Sequence, residues 1–152
     1  MLLSWKTGKL ISIDEAVSLL GEPYKTYLKE DRGLPGGQER VFVEAAGLRA
    51  EPPADYELSY FREQLAEKGP IWITAGNGIS SHARLLVGVY SLNESETEEN
   101  YEKTISEFVD PELGTYVYEN AMTFYGEFER EAAFIVNNHE EMLDLRWQII
   151  SY

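Results

Sequence analysis

A chain of 152 residues with 43% hydrophobic and 12% aromatic content is sized for one domain and too apolar to stay disordered. Its 13 basic and 27 acidic residues give a net charge of −14, a field that repels nucleic acid and anionic membrane; it reads first as charge that keeps the domain soluble, with attraction to a basic partner as the alternative. No run of about 18 apolar residues could cross a bilayer. The absence of cysteine excludes a disulfide framework and fits a reducing cytoplasm without deciding the compartment.

The opening "MLLSWKTGK" is too short and too soon charged for a secretory signal, and reads as the second half of an amphipathic helix. "SIDE", Ser12 to Glu15, is a capping box: the Ser12 hydroxyl accepts from the Glu15 amide while the Glu15 carboxylate reaches back. Ala16, Val17, Leu19 and Leu20 continue that helix, and Gly21 can close it. "PYKTYLKED" starts another at Pro23, with Tyr24, Tyr27 and Leu28 on one face. "GLPGG" breaks the chain, "QERVFVEAAGL" reads as a short helix ending at Gly47, and "EPPAD" as a loop. "YELSYFREQLAEKGP" spaces Leu58, Phe61 and Leu65 for a helix that stops at Gly69-Pro70.

The period then changes. "IWITA" and "ARLLVGVY" are strand-like runs around "GNGISSH", whose Gly76-Asn77-Gly78 suits a hairpin turn. An acidic stretch, "NESETEENYEK", leads to a third strand, "TISEFVD", and "PELG" turns the chain. "YENAMTFYGEFE" suits a short helix and "AAFIVNN" a fourth strand; "HEEMLDLRWQIISY" reads either as helix then edge strand or as a strand. Helices first and an antiparallel sheet afterwards predict an α+β fold, not alternating βαβ units.

Few side chains are spaced for chemistry. His82 and His139 stand far apart, neither in a metal-ligand pair, and the acidic stretch lacks the pattern of a calcium loop, so neither metal nor cofactor is expected. The "GNG" turn is not followed by a helix that could cradle phosphate. Ser81 points to the opposite strand face from His82, and Ser80 sits in no nucleophile elbow. Trp72 and Tyr90 fit core or rim positions. The better pair is His82 with Asp110. Two antiparallel strands joined by the acidic stretch bring the start of one beside the end of the other. A carboxylate there can fix the imidazole tautomer and leave the second nitrogen free as a base.

The order "MLLSWKTGKLISIDEAVSLLG", then "GPIW", "SHARLLVGV" and "VDP" followed by Gly114, resembles bacterial papain-like cysteine peptidases. The likeness is to the plant-pathogen effector type, with the peptidase domains of bacteriocin exporters more distant, and it spans residues 1 to about 130. It implies a papain-like α+β fold, with residues 1–68 helical and 69–152 mainly antiparallel sheet in a single domain. It also implies peptide-bond hydrolysis through an acyl-thioester, with His82 as general base and Asp110 as its orienting partner. Secretion as a bacterial effector is then an expectation beside a cytoplasmic location.

The family's Cys-Trp pair would fall about two helical turns before Met1, and its oxyanion glutamine further upstream. The sequence reading is therefore of an N-terminally truncated domain without its nucleophile. Aligning Ser4-Trp5 with the pair instead leaves no room for the glutamine. Without a thiolate His82 has nothing to activate, and hydrolysis by the family's mechanism is not expected of this chain. Truncation would expose Trp5 and neighbouring apolar faces, which favours a homodimer. The rival expectation is a pseudopeptidase, a non-catalytic module that binds a peptide or protein against its acidic surface.

Overall fold

The computed structural model describes residues 1–35, 38–76, 81–92, 100–138 and 147–152. Helices α1 (Leu2–Thr7), α2 (Ile13–Leu20), α3 (Tyr24–Lys29) and α4 (Glu39–Ala46) come first. The capping box of α2 forms as written: Ser12 Oγ accepts from the Glu15 amide at 3.2 Å, and Glu15 Oε2 accepts from the Ser12 amide at 2.8 Å. Strand β1 (Arg49–Glu51) and helix α5 (Leu58–Lys68) follow. Then come β2 (Ile71–Gly76), β3 (Ser81–Ser91), a short 3-10 turn, β4 (Thr104–Asp110), β5 (Thr115–Asn120), α6 (Ala121–Asn138) and β6 (Ile149–Ser151). The six strands pair antiparallel in the order β1-β6-β2-β3-β4-β5. The fold class is α+β.

Strand alternation decides which helices cover which face. Ile71, Ile73 and Ala75 of β2 point to one side, where Leu58 and Phe61 of α5 meet Phe124 and Phe128 of α6. Phe61 stands 5.5 Å from both Phe124 and Phe128 by ring centroids, edge-on or nearly so, and Phe108 of β4 lies 5.2 Å from Phe124. Trp72 points to the other side, into a second cluster with Leu2, Phe42, Val43 and Leu85. Helices α1, α2 and α4 cover that side, and Tyr24 of α3 packs edge-on against Phe42 of α4. Trp5 of α1 folds over Gly69, where a Cβ would collide with the indole and φ is +79°. The sequence's Gly-Pro stop is thus also the seat of a tryptophan.

Three expectations need correction. "AAFIVNN" is not a strand but the last two turns of α6. Its Ala132 and Ile135 continue the buried row of Phe124 and Phe128, so helical period carries straight through the charged Glu129-Arg130-Glu131. "YEN" belongs to β5, and the helix begins at Ala121. Residues 149–151 form a strand, yet not at an edge: Ile149 and Ile150 bury opposite faces between β1 and β2. The sheet also draws β1 from the helical half. Asn77-Gly78 of the hairpin turn, Ser80, the acidic residues 93–99 and His139 lie outside the described residues.

Candidate active site

His82 is the second residue of β3 and Asp110 the last of β4; the two strands pair directly, with Leu85 opposite Val109. The expected juxtaposition exists. His82 Nε2 lies 2.9 Å from Asp110 Oδ2. The imidazole is 41% exposed and the Asp110 carboxylate 9%. Asp110 Oδ1 accepts from the amides of Glu112 at 2.9 Å and Leu113 at 3.2 Å, while the Asp110 carbonyl accepts from the Gly114 amide at 2.8 Å. "DPELG" is therefore a turn that folds back onto its own first carboxylate. Gly114, at φ +65°, supplies the left-handed residue that closes it.

An ionised carboxylate only accepts, so Nε2 carries a proton, and in the neutral ring that leaves the lone pair on Nδ1. That free nitrogen faces outward, 3.9 Å from Oε2 of Glu112, whose side chain is 80% exposed. Burial pushes the Asp110 carboxyl up, but the His82 hydrogen bond and the Leu113 and Glu112 amides outweigh it and hold the group below its ordinary value of 3.8. A carboxyl lowered on folding stabilises the fold above its unfolded value, and that contribution drains away as acid protonates the folded group. Wild type should therefore lose more stability than Asp110→Asn between roughly pH 5 and pH 2. Denaturant midpoints across that range test this, and equal slopes would refute the pinned carboxylate.

Two neighbours escaped the sequence reading. Arg84, on the same strand face as His82, donates to Glu119 at 2.8 Å, lies 3.8 Å from Glu127 and covers the Phe108 ring at 4.2 Å. Its signal was present: an arginine inside the apolar run "HARLLVGVY" needs partners. Glu112 could not be placed before the turn was known. Ser4 is not a neighbour of this kind, because its hydroxyl donates to the Ile11 carbonyl and accepts from the Ile11 amide. On the other face of β3 an apolar groove of about 420 Å³ runs between α1, α2 and the sheet; Leu3, Val17, Trp72, Leu85 and Val109 line it. Pro111, also in its lining, joins the groove to the His82–Asp110 end. Trp72 sits at this rim with its indole N–H on Thr74 Oγ1 at 3.0 Å, and Trp5 is exposed. Among the described residues, no group of three or more His, Asp or Glu is arranged to hold a metal ion.

A family model described as papain-like cysteine protease AvrRpt2 matches residues 1–129. The chain belongs to that family. It is a papain-like peptidase domain whose 152 residues contain no cysteine. No curated protein and no solved structure matches it. The family match ends inside α6, so β6, which completes the sheet between β1 and β2, lies beyond it.

Proposed function

We propose that residues 1–152 form one papain-like domain in which His82 is the general base and Asp110 its orienting acid, acting on a peptide or protein substrate. The observation that carries this reading is the 2.9 Å bond from Nε2 to a carboxylate whose other oxygen is pinned by two amides. Held in that way, Nδ1 can take a proton from a thiol and return it to a leaving amine. The thiolate attacks the peptide carbonyl, the amine departs with the proton, and water then releases the acyl group from sulfur.

That thiol is not among these 152 residues, and the chain alone is inert as a cysteine peptidase. Intact mass and thiol titration of the protein from its native source test whether a cysteine accompanies the domain. The imidazole can be tested directly. In a His139→Gln background, long-range proton–nitrogen correlation should show His82 as the Nε2–H tautomer, and Asp110→Ala should turn it into a mixture. A ring protonated at Nδ1 instead would sink the assignment.

A second reading is a binding module, favoured by the apolar groove that reaches the same end of the sheet. Such a pseudopeptidase would hold a segment against the groove and the acidic surface without cutting it.

A further inference from the structure

The two edges of the sheet are built differently. β1 has three residues, carries Arg49 and Glu51 at its ends, and stops at Pro52-Pro53. Short length, charge and proline all blunt an exposed edge. β5 has six residues, opens with Thr, Tyr, Val and Tyr in succession, and contains neither proline nor lysine. Among the described residues its only strand partner is β4. Among the described residues nothing else pairs with its outer side, where alternate backbone N–H and C=O groups can meet another strand.

The side chains beside this edge have one character. Tyr116 and Tyr118 pair across to Val109 and Glu107, on the sheet face of Trp72, and are 59% and 61% exposed. The Glu107 carboxylate accepts from Tyr118 Oη at 2.7 Å and from Tyr90 Oη at 2.6 Å. Tyr90 reaches it because the pairing of β3 with β4 shifts between Leu86 and Gly88, and because Gly88 has no Cβ to collide with the folded-back phenol. Those bonds to Glu107 are the main reason both phenols are held above their ordinary value, so they stay neutral donors with open ring faces. From Thr104 to Glu129 the sequence has six acidic residues and no lysine or arginine. Arg84 reaches this part of the sheet, but it is spent on Glu119 and 10% exposed.

We propose that β5 is a docking edge for an extended basic segment of a partner protein, which adds as a seventh strand and lays alternate Lys or Arg side chains over Tyr116, Tyr118 and Glu107. Backbone pairing would supply affinity, and the aromatic and acidic face would select cations. Charge decides against a second copy of this chain. Each copy carries −14, and pairing two β5 edges would bring two such acidic surfaces together. The inference does not use the peptidase reading, since neither His82 nor Asp110 belongs to the β5 edge.

The probe is a seven-residue acetylated peptide that alternates lysine with threonine or valine. It is compared with versions N-methylated at one alternate set of residues or at the other, and with a version carrying glutamate for lysine. N-methylation removes backbone donors and keeps every charge. One methylated set should bind at least about tenfold more weakly, and the other within about twofold of the parent. The glutamate peptide should not bind, Glu107→Gln should weaken the parent several-fold, and bound peptide should slow amide exchange over residues 115–120. Equal binding by both methylated sets would reduce the effect to diffuse charge attraction and overturn the proposal. So would absence of binding by the parent peptide. Protection of β5 that rises with protein concentration alone would give the edge to a second copy.

Discussion

Phe61→Ala should cost about 3–5 kcal/mol of stability, the range for deleting a fully buried phenylalanine. Phe61 is completely buried and is the point at which α5 meets α6 on one face of the sheet, touching the rings of Phe124 and Phe128 edge-on. Those geometries add to the area term, because ring edges and faces carry opposite partial charge. In a domain of this size the loss corresponds to a fall in melting temperature of roughly 6–20 °C. Urea titration checks it: the midpoint should fall while the slope stays constant. Leu10, 96% exposed, provides the contrast, and Leu10→Ala should stay within about 0.5 kcal/mol of wild type. If the two variants lose the same amount, α5 is not docked on the sheet as described.

The second large effect belongs to His82. In a thiol-bearing form of the domain, His82→Ala should lower kcat/KM for a peptide substrate by about 10²–10⁴-fold, the usual worth of a positioned general base. Asp110→Ala should cost less, because the imidazole remains while its tautomer and orientation are released. Glu112→Gln should stay within about twofold, since an exposed carboxylate 3.9 Å from Nδ1 exerts only a screened influence. A His82→Ala protein that keeps full activity would move the base elsewhere and leave the His82–Asp110 bond as a structural clasp.

Local rules made much of this legible. The capping box fixed the start of α2, Gly47 and Gly69 the ends of two helices, and alternation the strands β2, β3 and β4. The His82–Asp110 pair could be read because consecutive antiparallel strands place one's start beside the other's end, and the side chains stand at those two ends. Long-range choices were not legible. Nothing near Ile149-Ile150 says that they enter between two earlier strands; their burial on both faces becomes intelligible once β1 and β2 are in place. "AAFIVNN" misled because seven apolar-rich residues match a short strand as well as two turns of helix, and only the phase inherited from Phe124 and Phe128 decides. The groove, Arg84's partners and the bare β5 edge depend on which elements become neighbours, and periodicity carries no such information.

The place of β6 also governs when this sheet can exist. During synthesis β2, β3, β4 and β5 emerge in an order that lets each pair with the one before it. β1 has no partner until residues 149–151 have been made, about a hundred positions later in sequence. Until then β2 presents an open, apolar edge with Ile71 and Ile73, and α1, α2 and α4 have part of their floor missing. Closing the sheet therefore waits on residues 149–151. Deleting those three residues would leave a gap in the middle of the sheet.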